Sequence, residues 1–414
     1  MDEVSPKMRE LARDREFVAY FVARQTAGLA YSVETVAIGW QIYTLRHNPF
    51  DIGLVGLVLF VPQLLLAIPA GAMADRFDRR IVCVACTAGE MLAQLVFLWL
   101  VLQHVHSVAV NLAAVALVGI AHSLGTPAER AMLAGIVRSD KFAPAQAVTT
   151  SAMQVITIAG PAVGGIFIAV SVPLAFAGAA ALYGLASIAF GFLTPRPGDV
   201  ERPRLGSWID GIRFIAAHPV VLGAISLDLF AVLFGGATAL LPVYATTILQ
   251  IGPIGFGALR SAPAVGAAAV ALYLARRPIL RRAGPLLLSC VTGFGLATIV
   301  FGISRNVIVS FLALAAAGGF DVVSVVIRST LVQLGTPNPM RGRVSAVENV
   351  FIGASNQLGA FESGTLAAIV GAVWSVTLGG IATLATIALW SALFPALRRF
   401  DRLRSINEAD GHAG

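Results

Sequence analysis

Twelve long apolar stretches follow one another along the chain, separated by short polar segments. Each has about 20 residues or more, the length that an α-helix needs to cross the hydrocarbon core of a bilayer. Only 12% of the 414 residues are charged, whereas soluble domains carry about 25%. The pattern predicts an all-α polytopic membrane protein and excludes a soluble enzyme, a disordered chain or a disulfide scaffold. The predicted spans are 17–44, 51–74, 81–103, 108–126, 146–170, 172–193, 220–248, 254–275, 284–303, 306–333, 344–370 and 372–396.

The basic residues are distributed unequally between the two sides of these spans. If the N terminus lies in the cytoplasm, 24 of the 29 Lys and Arg residues fall on cytoplasmic segments and two, Arg46 and Arg305, on the opposite side. An excess of cytoplasmic basic residues is what orients membrane proteins. The distribution predicts that both termini are cytoplasmic and that the number of spans is even. It also accounts for the net charge of +7 without a nucleic-acid partner.

The longest polar interruption, 195–219, divides the spans into two sets of six. The two halves repeat weakly: 130–133 aligns with 328–331, and Gly160 and Gly165 align with Gly359 and Gly364. Two parallel repeats of six helices produce such a pattern. We therefore predict four parts: an N-terminal six-helix bundle at 1–194, a cytoplasmic linker with an interfacial helix at 195–219, a C-terminal six-helix bundle at 220–397, and a cytoplasmic tail at 398–414.

Several short motifs resemble a known transporter family. Residues 71–80 read Gly-Ala-Met-Ala-Asp-Arg-Phe-Asp-Arg-Arg and resemble the signature loop between helices 2 and 3 of the major facilitator superfamily, with Asp78 where the family usually has Gly. Residues 160–165 resemble the Gly-Pro-x-x-Gly-Gly part of the superfamily's antiporter motif. Stretches such as 21–24 and 241–244 resemble the drug and siderophore exporter branch, to which the enterobactin exporter belongs.

The resemblance implies the major facilitator fold, with twelve transmembrane helices in two pseudo-symmetric six-helix bundles. In that family helices 1, 4, 7 and 10 line a central cavity that opens alternately to each side of the membrane. The resemblance also implies a multi-pass monomer in a bacterial inner (plasma) membrane, with a small-molecule substrate, protons and lipid as its partners. The Arg that many proton antiporters carry in helix 4 is absent, and span 4 has Asn111 and His122 instead.

Charged side chains inside apolar spans are costly to bury, so each is a functional candidate. Glu34 lies near the middle of span 1, Asp321 near the middle of span 10, and Asp228 in the cytoplasmic half of span 7. A carboxylate removed from water is more readily protonated. These acids are therefore candidates for proton coupling or substrate contact, and a structural hydrogen bond or ion pair is the alternative for each. Arg24 and Gln41 of span 1 belong to the same predicted cavity, and we expect Arg24 to form a structural or gating pair.

Two further charges inside spans are expected to have structural partners. Arg328 follows Asp321 by seven residues, about 10 Å along a helix at 1.5 Å per residue. The two cannot touch, so a partner for Arg328 is expected on another helix. Glu90 lies in span 3, which the family places at the periphery, and a structural hydrogen bond is the expectation there.

The predicted gate lies at the cytoplasmic side. Asp75 is expected to latch the N-terminal end of span 11, whose positive dipole favours an anion, or to pair with Arg341 or Arg343. Span 11 also carries a polar stripe that includes two acids, which suits a helix at the seam between the bundles. Basic residues of the loop are expected to pair with Glu129. The predicted gating residues are Gly71, Asp75, Arg76, Arg79, Arg80, Arg341, Arg343, Glu348 and Glu362, and the predicted helix-packing residues are Gly160, Pro161, Gly164 and Gly165.

The chain has no HExxH, Walker loop or GxSxG motif and no cluster of metal-ligand spacing, so we expect no enzyme activity, cofactor or metal. The motifs favour a secondary active exporter of small amphipathic or hydrophobic compounds, drug-like or siderophore-like, which works by alternating access and proton antiport. The alternatives are a proton-coupled importer of a small metabolite and a membrane receptor that transports nothing.

Overall fold

The computed structural model describes residues 10–194, 208–276, 282–337 and 340–399. Residues 195–207 of the predicted linker and residues 400–414 of the predicted tail lie outside the described residues. The described part is helical and contains no strand. Its twelve long helices are α1 (Arg15–Arg46), α2 (Pro49–Arg76), α3 (Arg79–Leu102), α4 (Val108–Ile136), α5 (Ser139–Val170), α6 (Val172–Gly191), α7 (Pro219–Phe234), α8 (Gly252–Arg276), α9 (Ala283–Ile303), α10 (Val307–Leu334), α11 (Arg341–Val370) and α12 (Ala372–Leu393).

Ten of the described helical segments are long and apolar enough to cross a membrane, and they correspond to α2–α10 and α12. This finding confirms the all-α membrane class. The helices α1 and α11 have 32 and 30 residues, which is ample length for a crossing. They are more polar than the other ten, because α1 carries Arg24 and Glu34 and α11 carries the stripe with Glu348 and Glu362.

Polar side chains next to the helices fix where several of them begin. The side chain of Asp14 accepts a hydrogen bond from the backbone N–H of Glu16 at the start of α1, and Asn306 caps α10 in the same way. Asp78 caps α3 by accepting from the backbone N–H of Arg80 at 2.9 Å. Such caps satisfy backbone donors that have no partner within the helix. Asp78 therefore has a local structural role in the hairpin between α2 and α3.

The described residues divide into two compact units. Unit 1 comprises residues 10–47, 57–194 and 251–261. Within it α6 packs against both α1 and α3, and the rings of Phe97 and Phe176 stack with centroids 4.9 Å apart. Small residues let the helices approach closely, as they do in membrane bundles generally.

Glycines of α5 show this close approach most directly. A Cβ added at Gly160 would lie 2.5 Å from Cβ of Ser32 on α1, and one at Gly164 would lie 3.1 Å from Cβ of Val36. A Cβ at Gly165 would lie 2.6 Å from the carbonyl oxygen of Pro253. Pro161 lies inside α5. The three glycines thus lie where α5 packs closely against α1 and against the start of α8.

Unit 2 comprises residues 48–56, 208–250, 262–276, 282–337 and 340–399. The helix α9 packs against α10 and α12, and α11 packs against α7. The indole N–H of Trp390 on α12 donates to the hydroxyl of Ser226 on α7 at 2.9 Å. A ten-residue helix, Trp208–Ala217, lies in the predicted linker and packs on α11.

We expect Gly160→Ala to lower the thermal stability of the protein in lipid, because the new methyl group overlaps α1 and overpacking destabilises by about 1–3 kcal/mol. Gly135→Ala on α4 is the matched control, since a Cβ there meets nothing within 4 Å. Unfolding midpoints of the two variants that agree with each other would contradict this account of the α1–α5 contact.

Candidate functional site

The helical path breaks in the middle of the seventh span. The helix α7 ends at Phe234, and Gly235 and Gly236 lead into a 3₁₀ turn at Ala237–Leu240 and a π-helical turn at Tyr244–Ile248. A Cβ at Gly236 would lie 2.7 Å from the carbonyl oxygen of Gly359 on α11, so glycine allows the break to pack there. Broken helices in membrane proteins are tolerated where the freed backbone groups face protein or a cavity. Here the break borders a cavity.

That cavity, in unit 2, has a volume of about 190 Å³ and lies among α7, the segment after it, α8, α9, α10 and α11. Its polar lining residues include Thr238, Thr298 and Asn356, and Phe294 adds an aromatic surface. Asp321 of α10 is the ionisable residue of this lining. Within the described part of the chain its carboxylate has no hydrogen bond or ion pair. The cavity therefore presents one unpaired carboxylate among apolar and hydroxyl groups.

Asp228 of α7 is held differently. Together with Asp321 it lines a smaller space beside the main cavity, but its carboxylate pairs with the guanidinium of Arg328 on α10. Nε of Arg328 also lies 3.4 Å from a carboxylate oxygen of Glu348 on α11. The partner expected for Arg328 on another helix is thus present. This network joins three helices of unit 2, and it places one buried cation between two acids.

Unit 1 contains a corresponding ion pair at the first span. Arg24 of α1 donates to a carboxylate oxygen of Glu129 on α4 at 2.8 Å. Arg79 and Arg80 of the loop, which were expected to pair with Glu129, bind backbone carbonyls instead. Arg79 donates to the carbonyl of Ala131 at 3.3 Å, and Arg80 donates to that of Gly191. Glu129 is already neutralised by Arg24, which explains why the loop residues take other partners.

Glu34 is 1% exposed, and one of its carboxylate oxygens accepts a hydrogen bond of 2.6 Å from the hydroxyl of Tyr183 on α6. Its other oxygen has no hydrogen-bond partner among the described residues. Gln41 lies two turns further along α1 and is also buried. Glu34 is therefore tied to a neighbouring helix by a neutral donor, in contrast to the unpaired Asp321.

Glu90 of α3 has the hydrogen bond expected for it, and its partner is His122 of α4. Nδ1 of His122 lies 3.0 Å from a carboxylate oxygen of Glu90. The imidazole stacks on the ring of Tyr31 of α1, with centroids 4.6 Å apart and an interplanar angle of 16°. Three helices of unit 1 meet at this pair.

The predicted gating residues of the hairpin lie at its surface. Asp75 and Arg76 are exposed, and Asp75 has no hydrogen bond or ion pair with any residue that the structure describes. A Cβ at Gly71 would meet nothing within 4 Å, so packing does not require glycine there.

The basic residues at the start of α11 have partners within unit 2. Nε of Arg341 donates to the carbonyls of Gln333 and Thr336 at 3.1 and 3.2 Å. The guanidinium of Arg343 lies 3.3 Å from the carboxylate of Asp210 in the linker helix. The latch between Asp75 and this region stays a prediction.

The polar stripe of α11 divides into parts with different surroundings. Glu348 belongs to the Arg328 network, and Ser355 and Ser363 are buried. The hydroxyl of Ser363 lies 3.3 Å from the carboxylate of Glu362. Asn356 lines the cavity that contains Asp321. Glu348, Ser355 and Ser363 thus face other helices, and Asn356 faces the cavity.

Several residues of these sites were missed from the sequence. Tyr183 and Tyr31 belong to ordinary apolar helices, and nothing in their spacing indicates an acidic or imidazole partner. Thr238 lines the cavity from the segment that follows the break at Gly235 and Gly236, and Thr298 lines it from α9. The adjacent glycines were the available signal, since paired glycines in a span weaken a helix.

Comparison with known proteins supports a transport role for this fold. The sequence profile of the family described as "transmembrane secretion effector" matches residues 11–411. The enterobactin exporter EntS of Escherichia coli O81 (strain ED1a) is 28% identical over 406 residues, which cover 93% of each chain. EntS of Escherichia fergusonii (strain ATCC 35469) is likewise 28% identical over 406 residues and 93% of each chain.

Solved structures show the same fold at low sequence identity. A D-xylose–proton symporter superposes with a TM-score of 0.73 at 11% identity, covering 92% of this chain and 99% of the symporter. A bacterial homologue of the human lysosomal transporter Spinster, inward-facing and occupied, also gives a TM-score of 0.73, at 14% identity, covering 93% and 96%.

We expect Arg328→Gln to lower the free energy of unfolding by about 3–5 kcal/mol, because it leaves the buried carboxylate of Asp228 and the partly buried carboxylate of Glu348 without their cation. Asp228→Asn and Glu348→Gln each leave Arg328 with one carboxylate and should cost less. Arg24→Gln should also cost less, because that guanidinium is 28% exposed against 4% for Arg328. Unfolding measured in mixed micelles ranks the four variants, and equal losses would contradict the three-residue network.

Proposed function

We propose that this chain, which belongs to the transmembrane secretion effector family of the major facilitator superfamily, exports small amphipathic compounds in exchange for protons. Its homologues and fold are those of multi-pass membrane transporters, which are not enzymes. The name of the EntS relatives favours efflux of a siderophore-like compound. We further propose that the exchange is proton antiport, that it proceeds by alternating access, and that the residues described below perform it.

The observation that carries the proposal is the unpaired carboxylate of Asp321 in the wall of the cavity. An ionised group within a membrane span is costly unless it has a partner or a function. Asp321 has neither an ion pair nor a hydrogen bond within the described residues. A carboxylate in this position can bind either a proton or a donor group of the substrate, and the two compete for it.

The size of the cavity limits what part of a compound it holds. Pockets that enclose a whole drug-sized ligand have about 300–1,000 Å³, whereas this one has about 190 Å³. It therefore suits one ring or one polar group of a larger molecule. Phe294 offers a surface for a ring, and Thr298 and Asn356 offer polar contacts.

The exchange follows from this competition. In the form open to the cytoplasm, Asp321 is ionised and accepts a hydrogen bond or positive charge from the compound. In the form open to the outside, a proton from the more acidic side adds to the carboxylate, removes its charge and releases the compound. The protonated form returns to the cytoplasmic side and loses the proton there. Protons thus move inward as the compound moves outward.

The paired charges serve the scaffold in this scheme. Asp228 and Glu348 share Arg328, and Glu129 has Arg24, so their charges are balanced inside each unit. Glu34 is held by Tyr183 and contributes to the first unit's packing and to its electrostatic field.

The proposed setting is the inner membrane of a bacterium, with both termini in the cytoplasm and one chain acting as a monomer. The distribution of basic residues supports this orientation. The hairpin with Asp75 and the start of α11 would then face the cytoplasm, where a latch closes the inner side of the transporter.

The test uses the full chain in proteoliposomes that contain the pH dye pyranine. Enterobactin, the cation ethidium and the anion fluorescein are each supplied as a gradient, with the wild type and with Asp321→Asn. We expect at least one compound to drive proton movement in the opposite direction in the wild type, and Asp321→Asn to reduce that movement by tenfold or more. Asp140→Asn is the matched control, because Asp140 is exposed in the first turn of α5 and pairs with Arg138.

The outcomes separate the alternatives. Proton movement in the same direction as the compound would indicate an importer and contradict the proposal. Compound movement without protons would contradict antiport. Normal coupling in Asp321→Asn would remove Asp321 from the mechanism. No movement of any compound would favour a membrane protein that does not transport them.

A separate prediction concerns the latch. We expect Asp75→Asn to impair transport by about tenfold while the protein remains folded and inserted, because the neutral amide no longer attracts the helix N terminus or an arginine. Asp78→Asn is the control in the same hairpin, since Asn caps a helix about as well as Asp. Full transport by Asp75→Asn would contradict the latch.

A further inference from the structure

Unit 1 contains a second group of ionisable side chains that the exchange at Asp321 does not use. At its centre are Glu90 of α3 and His122 of α4, with Nδ1 of His122 and the carboxylate oxygen of Glu90 3.0 Å apart. The helices α3 and α4 pack along each other, so the contact is supported by a long interface.

The two partners differ sharply in exposure. The side chain of Glu90 is 5% exposed, whereas that of His122 is 44% exposed. The carboxylate of Glu90 is therefore buried inside unit 1, whereas the imidazole of His122 is partly exposed. His122 is thus the more accessible partner of the pair.

The ring is also held in one orientation. It lies flat against Tyr31 of α1, with 4.6 Å between the centroids. When the Glu90 carboxylate is ionised it can only accept, so Nδ1, which faces it at 3.0 Å, carries the N–H that donates to it. Nε2 is then the atom that gains or loses the proton. This arrangement fixes which nitrogen titrates.

The neighbouring charges leave the pair free to change its own charge. Arg24 and Glu129 interact with it electrostatically but neutralise each other at 2.8 Å. Glu34 lies within electrostatic reach and is held by Tyr183. Arg260 of α8 lies within electrostatic reach of Tyr31. One turn along α3 from Glu90, the buried amide of Gln94 has no hydrogen-bond partner among the described residues.

We propose that the His122–Glu90 pair is a second proton-binding site of the transport cycle. The inference rests on the proposed proton exchange and assigns it a site in unit 1. A proton from water adds to Nε2 of His122 and forms an imidazolium that stays paired with the Glu90 carboxylate. An O–H bond of a hydronium ion breaks as this N–H bond forms, and the reverse transfer to water restores both groups. The contact with Tyr31 links the charge of the ring to α1.

The first experiment needs no transported compound. Full-length protein labelled with ¹⁵N-histidine is titrated in lipid nanodiscs between about pH 5 and 8.5, and ring nitrogens are followed by NMR. The sequence has six histidines, and the signal of His122 is identified by its proximity to the ring of Tyr31 and by its loss in His122→Gln. We expect Nε2 to titrate while Nδ1 stays protonated, and Glu90→Gln to weaken proton binding at the ring by about tenfold or more. Tenfold corresponds to one pH unit in the midpoint.

The second experiment separates a proton site from a structural contact. In the proteoliposomes described above, His122→Gln and Glu90→Gln should lose transport of ethidium or enterobactin driven by a pH gradient. They should keep exchange of labelled for unlabelled compound, which needs no net proton movement. His106→Gln is the matched control, because that histidine is exposed on the loop between α3 and α4.

Each contrary result has a distinct meaning. The inference is overturned if the ring of His122 keeps one protonation state across the pH range, which the wild type alone shows. It is also overturned if Glu90→Gln leaves the titration midpoint of His122 unchanged. Equal loss of driven transport and exchange would make the pair a structural contact and overturns it too. Wild-type transport without proton movement would instead overturn the proposed function itself.

Discussion

Burying a charge inside an apolar helix bundle costs free energy, and this cost determines which charged side chains of this protein are paired between helices. Arg328 is buried and has two carboxylates beside it, from α7 and α11, so the network holds three helices of unit 2 together. The guanidinium is fully ionised at any physiological pH, and only a fixed anion can make its burial tolerable. Asp321 lies on α10 as Arg328 does, but among the described residues its carboxylate has no ion pair. It is therefore the acid of this helix that is available to bind a proton.

Each unit contains an ion pair between two of its helices, and the positions of the cation and the anion are exchanged between the units. In unit 1 the cation Arg24 belongs to α1 and the anion Glu129 to α4. In unit 2 the anion Asp228 belongs to α7 and the cation Arg328 to α10. The weak sequence repeat aligns α4 with α10, so each unit ties its first helix to its fourth. Both units have an ion pair between these two helices, but the helix that carries the cation differs between the units.

The sequence predicted the class of the fold and the positions of the buried charges, because apolar runs and charges within them are visible residue by residue. It predicted that Arg328 has a partner on another helix, since Asp321 is two turns away on its own helix. It did not predict which partner, because Asp228 and Glu348 come from helices 100 and 20 positions away in sequence. The break in α7 and the cavity beside it depend on packing of Gly236 against α11, and sequence spacing contains no record of that contact.

The central claim is that Asp321 takes up and releases a proton within the membrane. Infrared difference spectra of the protein in lipid, recorded between about pH 8 and pH 5 with ¹³C-labelled aspartate, follow the carbonyl band of protonated Asp directly. We predict a pH-dependent band in the wild type that is lost in Asp321→Asn and retained in Asp140→Asn. An identical spectrum for the wild type and Asp321→Asn would contradict it.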